Sequence, residues 1–381
     1  MYNILYVTGS RADFGIVEPL LQELNAKDEY VVDIVATGMQ VEERFGNTVN
    51  FVRESGLKVI SEIPMSLSDS SDKTSLKGLA YLTLGLVSVF ESKRYDAVII
   101  LGDRYEMLAV ANAAILYRVP IIHLHGGEQT LGNFDESIRH ALTKLSNLHL
   151  ASTEEYRTRI IQMGEEPESV LNIGALGVQN VLMEERPSFD TVKTKYGLDF
   201  DIGSYIVVLF HPETYLPEES IKKQAEAVRK SLEALEKDII LIGSNVDTGS
   251  DVVLGEFSKL EKNVIRIASL PTGEFHTLIE NAYALLGNSS SGLIEAPSLG
   301  TVTVNLGNRQ KGRAFGPSVI QVPTITEAAI TEALKIVPSV TSFFNPYYQP
   351  NSVELATVAI DKYMKTGRDS RKKFFDIPFS I

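Results

Sequence analysis

Residues Ile99–Lys144, IILGDRYEMLAVANAAILYRVPIIHLHGGEQTLGNFDESIRHALTK, decide the fold. Tyr95–Leu101 is short, β-branched and continuously apolar, the pattern of a strand buried on both faces, and it empties into Gly102, Asp103 and Arg104. A helix is expected from about Tyr105 to Tyr117. A second buried strand, Val119–Leu124, then empties into His125, Gly126, Gly127 and Glu128. In an open parallel sheet, ligands occupy the crevice outside the carboxyl ends of the strands. Asp103, Arg104, His125 and Glu128 are therefore expected to share one mouth.

Strand and helix patterns alternate on both sides of this stretch. Strands are expected at Ile4–Val7, Val31–Ala36, Lys58–Ile63, Leu148–Ser152 and Val170–Ile173, with helices at Phe14–Leu24, Asn47–Glu54, Leu76–Ser92, Glu154–Met163 and Leu176–Leu182. Ser66–Ser75 reads as a polar connector poor in apolar anchors. The charged, Pro- and Gly-bearing segment Met183–Asp201 marks a domain boundary. Beyond it the cycle restarts, with strands at Tyr205–Phe210, Asp238–Ile242, Val264–Ile267, Tyr283–Leu286 and Thr301–Leu306 and helices at Glu218–Glu236, Gly273–Asn281 and Gly292–Ser298. The pattern implies an α/β protein of two doubly wound, Rossmann-like domains, 1–185 and 186–352, facing a central cleft. The last helix, about Val353–Lys365, is expected to fold back on the first domain within a terminal segment 353–381, and the basic tail Lys365–Lys373 to be solvated.

Composition narrows the function. The 381 residues are 44% hydrophobic, enough for two ordinary cores. A net charge of −13 argues against nucleic acid or an anionic membrane surface as partner, since both call for basic faces. The chain has no cysteine, which excludes disulfides, thiolate nucleophiles and Cys-built metal sites. The amino terminus begins directly as a strand without signal-peptide layout, and the longest apolar patch, Leu79–Phe90, falls short of the roughly 20 residues a membrane span needs. A cytoplasmic protein is expected. No GxGxxG turn, Walker lysine pattern, HExxH or EF-hand spacing occurs, so no cofactor or metal is expected.

Two regions carry candidate chemistry. Gly287–Gly292 (GNSSSG) lies between a buried strand and a helix, where backbone N–H groups and hydroxyls form an anion site, although Ser290 or Ser291 as a plain N-cap is the bland reading. The next loop adds three cations, Arg309, Lys311 and Arg313. His211 ends a strand facing the cleft, Arg11 faces it from the other side, and Glu295 lies in the first turn of the helix after the serines. Asp103, His125, Glu128, Asp135 and His140 fall near one sheet edge. Carboxylates forced together have pKa values pushed apart, which provides one acid and one base.

The combination SRAD at Ser10–Asp13, GDR at Gly102–Arg104, HGGE at His125–Glu128, DESIRHALTK at Asp135–Lys144, GNSSSG at Gly287–Gly292 and NLGNRQKGR at Asn305–Arg313 resembles the hydrolysing UDP-N-acetylglucosamine 2-epimerases of sialic acid biosynthesis. The resemblance implies a glycosyltransferase B type fold, a UDP-linked N-acetylated sugar as ligand, and N-acetylmannosamine plus UDP as products. It assigns Arg11, Arg104, His211, Ser289, Ser290 and Arg309 to the diphosphate and uridine side, Glu295 to the ribose hydroxyls, and Asn245 to the base or ribose. Asp103, Glu128, Asp135 and His125 become the candidate proton-moving groups. Relatives are commonly homodimers or homotetramers. Some carry a carboxylate where this chain has His125, and often a histidine where it has Gln40; both positions are expected near the sugar, which keeps UDP-N,N'-diacetylbacillosamine, on the legionaminic acid route, as an alternative substrate. A non-hydrolysing 2-epimerase and an acceptor-dependent glycosyltransferase of the same architecture are the alternative chemistries.

Overall fold

The computed structural model describes residues 1–131, 134–183, 185–243, 248–260, 264–366 and 371–378. In the first lobe, β1 (Tyr2–Thr8), α1 (Arg11–Asn25), β2 (Tyr30–Thr37), α2 (Val49–Glu54), β3 (Lys58–Ile63), α3 (Asp72–Ser92) and β4 (Ala97–Leu101) lead into α4 (Glu106–Leu116). β5 (Ile121–Leu124), α5 (Asp135–Leu145), β6 (Leu148–Ala151), α6 (Glu154–Gln162), β7 (Val170–Asn172) and α7 (Leu176–Met183) complete it. The seven strands are parallel, in the order β3-β2-β1-β4-β5-β6-β7.

The second lobe begins with α8 (Phe189–Tyr196) and runs through β8 (Tyr205–Leu209), α9 (Glu218–Ala234), β9 (Asp238–Ile242), α10 (Ser250–Phe257) and β10 (Val264–Ile267). It continues with α11 (Thr272–Glu280), β11 (Ala284–Gly287), α12 (Ser291–Ile294), β12 (Thr303–Leu306), β13 (Val319–Val322) and α13 (Glu327–Ile336). Its sheet is also parallel, in the order β10-β9-β8-β11-β12-β13. Strand order reverses between β1 and β4 in one sheet and between β8 and β11 in the other, the two places where such folds open a crevice.

The continuous apolar strands are buried on both faces, as their composition requires. Ile4, Tyr6 and Ile99 pack into the core under α1, whereas Leu5, Val7, Val98 and Ile100 pack on the opposite side with α3 and α4. Each such side chain removed from water contributes about 1.5–3 kcal/mol. The last helix, α14 (Ser352–Thr366), inserts Val353, Ala356, Ala359, Ile360 and Met364 into the first of these cores.

Several expectations change. The segment read as a boundary contains α8, capped by Ser188 at its start and by Gly197 in the left-handed region at its end. α3 starts at Asp72 rather than Leu76, because the Ser71 hydroxyl accepts from Thr74 N–H. Within the connector Ser66–Ser75, Leu67 is a buried apolar anchor and Ser70 is buried as well. The basic tail is not fully solvated: the Lys372 ammonium lies 2.7 Å from the buried Glu165 carboxylate. No helix among the described residues is long and apolar enough to cross a membrane.

Candidate active site

β4 and β5 end in left-handed turns at Gly102 (φ +68°) and His125 (φ +59°), followed by Gly127 (φ +76°). For histidine this conformation costs about 1–2 kcal/mol. At Gly127 a Cβ would lie 2.5 Å from Tyr156 O, so only glycine fits. The turns aim Asp103, His125 and Glu128 into one cleft of 760 Å³ between the lobes.

Asp103 is ion-paired with the guanidinium of Arg139, a side chain wholly removed from solvent. Arg139 also donates to Glu136 Oε2 and to Glu128 O, each at 2.9 Å, and to Thr130 Oγ1 at 3.0 Å. Glu128 is equally committed. Its Oε1 accepts from Ser152 Oγ at 2.7 Å, and its Oε2 lies 2.8 Å from Arg313 Nη2, which belongs to the other lobe. His125 Nδ1 faces Glu128 Oε1 at 3.8 Å, while its Nε2 accepts from Leu176 N–H at 3.4 Å, which places the neutral imidazole's proton on Nδ1. Burial pulls the His125 pKa down against the pull of Glu128. His123, two residues earlier in β5, is held neutral by burial at about 3 and donates Nε2–H to Gly102 O.

Around β1, Arg11 lies over the Phe51 ring, 4.9 Å from its centroid, and Arg104 pairs with the buried Glu106 at 2.7 Å. Gln40, expected near the sugar, is instead fully buried: its amide donates to Thr8 Oγ1 and Ser10 O, both at 2.9 Å, and accepts from the Thr48 hydroxyl. It shapes the first loop from behind, and its replacement of a histidine says little about the ligand. His140 pairs with Glu136 at 3.2 Å and does not line the cleft.

From the second lobe, Asn288 organises the opposing wall. Its side chain accepts from His211 N–H at 2.7 Å and donates to His211 O at 2.8 Å, and its carbonyl accepts from Arg309 at 3.3 Å and Gln310 at 2.8 Å. Ser290 makes no side-chain capping bond, so the bland reading of that hydroxyl fails and it lines the cleft beside Ser289. α12 is one α-helical turn that continues beyond Glu295 as a 3-10 helix, Ala296–Leu299; Glu295 stands at the junction, with Oε2 3.6 Å from His276 Nε2. Gly177 of α7 packs against Glu295, where a Cβ would lie 2.7 Å from Oε1.

Asp135, Arg11, Arg104, His211, Ser289, Ser290, Glu295 and Arg309 all line the same cleft as Asp103, His125 and Glu128. Of the three cations after β12, Arg309 and Arg313 reach it and the exposed Lys311 does not. Asn245 lies outside the described residues. Arg139, Asn288 and Arg313 stand in the quoted motifs, Arg313 as one of the three cations after β12, but the motifs alone do not show the bonds these side chains make. Among the described residues no group of three His, Asp or Glu side chains is disposed to hold a metal ion.

The sequence model of the UDP-N-acetylglucosamine 2-epimerase family matches residues 22–361. This chain belongs to that family. The chain is 41% identical over 388 residues to the polysialic acid biosynthesis protein P7 of Escherichia coli, covering 99% of this chain and 98% of that one. It is 36% identical over 331 residues to the UDP-N,N'-diacetylbacillosamine 2-epimerase (hydrolyzing) of Legionella pneumophila, covering 86% and 87%. The crystal structure of the Methanocaldococcus jannaschii UDP-GlcNAc 2-epimerase in complex with UDP-GlcNAc and UDP shares the fold, with TM-score 0.77 at 19% identity over 95% of this chain and 99% of that one.

Proposed function

We propose that this 2-epimerase is hydrolysing and converts UDP-N-acetylglucosamine and water into N-acetylmannosamine and UDP. Hydrolysis is supported by the 36% identity to the Legionella relative named as hydrolyzing, and proton transfer beside a diphosphate by the ion pair between Glu128 and Arg313, which brings the acidic wall of one lobe against the cationic loop of the other. In this reading residues 1–185 form the acid-bearing domain, 186–352 the UDP domain, and 353–381 a segment returning to the first.

Arg309, Ser289, Ser290 and His211 grip the diphosphate, with Arg11 and Arg104 approaching from the first lobe and Glu295 accepting from the ribose hydroxyls. Asn245 is assigned to the base or ribose. The apolar wall of Leu241, Ala268, Leu270 and Phe275 suits a uracil ring. A base takes the C2 proton while the anomeric C–O bond breaks and its electron pair leaves with UDP, giving a glycal. Water then adds at C1, and C2 is reprotonated from the other face. The C2 hydrogen is weakly acidic, so the cations around the departing UDP supply the driving stabilisation. Asp103, Glu128, Asp135 and His125 are the candidates for the proton transfers. No cofactor is needed for this sequence of steps.

The Legionella relative's name favours one second reading, the same chemistry on UDP-N,N'-diacetylbacillosamine. Each UDP-sugar is incubated with the protein in deuterated water and followed by proton NMR. A free sugar deuterated at C2, with UDP released, is expected from one of them. An intact UDP-linked C2 epimer as the only product overturns hydrolysis, and UDP release that requires an added acceptor overturns the epimerase reading. The protein is expected to act as a homodimer or homotetramer free in the cytoplasm, which light scattering and cell fractionation test.

A further inference from the structure

The loop after β12 is fastened to both lobes. At one end Arg309 and Gln310 donate to Asn288 O in the second lobe. At the other, Leu131 N–H donates to Lys311 O at 3.0 Å, Ala314 N–H donates to the Tyr156 hydroxyl at 2.8 Å, and the Tyr347 hydroxyl donates to Ala314 O at 3.0 Å. Gly312 (φ +93°) is where this loop meets the loop carrying Glu128: a Cβ there would lie 2.9 Å from Gln129 Cβ. Arg313 follows immediately, and its counter-ion is Glu128 at 2.8 Å, both side chains being almost wholly out of water. A cation kept only for a diphosphate has no use for a buried carboxylate of the opposite lobe. Truncating one member of such a pair leaves the other stranded, so the contact is costly to break.

We propose that Arg313 is a positioning residue that holds Glu128 against His125 for proton transfer, so that the loop gripping the diphosphate through Arg309 also sets the acid–base pair. The inference rests on the UDP-sugar reading above. Glu128 has three engagements, Ser152, Arg313 and His125, and loss of Arg313 leaves its second oxygen free to swing the carboxylate away. The charges facing His125 are Glu128 on its own loop, Arg313 from the second lobe and Glu295 at the end of α12; the titratable but neutral His123 lies nearby, and Leu176 N–H is on Nε2. Arg313 opposes protonation of His125 and Glu128 favours it. Removing Arg313 therefore raises the pH at which the imidazole titrates.

Arg313→Gln, Arg313→Lys and Arg309→Gln are compared with the wild type in kinetics and in an NMR titration of the histidine ring nitrogens. Arg313→Gln is expected to lower kcat by about 100-fold with KM little changed, and to move the His125 titration upward. Arg313→Lys is expected to restore the titration and part of kcat, because it returns the charge without the fork. Arg309→Gln is expected to raise KM and leave the His125 titration in place. An unmoved His125 titration in Arg313→Gln overturns the inference, as does a raised KM at wild-type kcat. If the wild type releases UDP from no N-acetylated UDP-sugar, the functional reading fails instead, and the NMR titration alone decides whether Arg313 governs His125.

Discussion

Asp13 shows how a single carboxyl can be well hydrogen-bonded and still strained. Its Oδ2 accepts from Gly9 N–H at 3.0 Å, Ser10 N–H at 2.8 Å and the Ser10 hydroxyl at 3.1 Å, and Thr8 donates to Oδ1. Burial nevertheless outweighs these donors and pushes its pKa up to about 6. The unfolded chain releases this proton near pH 4, so the folded state binds it more tightly between about pH 4 and 6. Its stabilising contribution is complete below that window and is lost as the pH rises through about 6. Glu165 has the opposite sign. Burial opposes its ionisation, but His149, Lys144 and Lys372 hold it at about 2, so its contribution is present at neutral pH and is lost as the pH falls from about 4.5 through 2. Urea unfolding across pH 3–7 is therefore expected to give a maximum near pH 4–5, with a decline of about 2 kcal/mol toward pH 7 from Asp13. Asp13→Asn should flatten that decline and leave the acid limb alone; a variant with the wild-type slope above pH 4.5 would remove Asp13 from the account.

β11 ends at Gly287, which has φ +149° and stands so close to β8 that a Cβ would lie 1.9 Å from Leu209 O. The neighbouring atom is backbone within a sheet and cannot yield, so Gly287→Ala is expected to destabilise by more than about 4 kcal/mol and to abolish soluble expression. Circular dichroism of a native-like, fully active variant would contradict this. The same strand was legible from composition, because a parallel strand covered on both faces must be continuously apolar. That rule recovers the central strands, while the edges β3 (KVISEI) and β10 (VIRI) stand out by β-branched content and by their place in the alternation; β13, whose four residues VIQV form an edge with only its ends buried, does not stand out. The helices α8, α10 and α13 do not stand out in the sequence: α8 lies in the charged segment Met183–Asp201 that reads as a boundary, and α10 and α13 fall between strands where no clear helical pattern separates them from connecting loops. The cleft residues were legible because parallel topology sends strand ends to one edge. Arg139, Asn288 and Gln40 were not legible in role. Their functions lie in bonds between loops far apart in sequence, and a buried arginine or glutamine looks like a surface one until the fold encloses it.

At the scale of the whole molecule, the mouth of the cleft is spanned by polar bonds rather than by packed apolar surface. Ser70, in the connector before α3, donates its N–H and its hydroxyl to Asp251 Oδ2, each at 3.0 Å, and Arg44 lies 3.5 Å from Asp251 Oδ1. Beside them the Thr248 hydroxyl donates to Asp72 at 2.8 Å. Asp251 stands in the first turn of α10, whose Val253, Leu254 and Phe257 line the cleft, so the contact that joins the lobes also fixes one wall of the site. Solvent-accessible hydrogen bonds contribute about 0.5–1.5 kcal/mol each, and those through Asp251 together bias closure by roughly 2 kcal/mol. This is enough to hold a closed form without locking it, since a ligand shifts such an equilibrium by its own differential affinity. Asp251→Ala removes the Ser70 and Arg44 contacts and leaves every cationic and acidic group of the cleft in place. It is expected to weaken UDP binding by about 10-fold, chiefly through faster release, and to increase the radius of gyration of the unliganded protein in X-ray scattering. Unchanged UDP affinity together with an unchanged scattering curve would mean that the other inter-lobe contacts, among them Glu128 with Arg313, Leu131 with Lys311 and the close approach of Gly15 to Thr272, hold the lobes together without help from the latch.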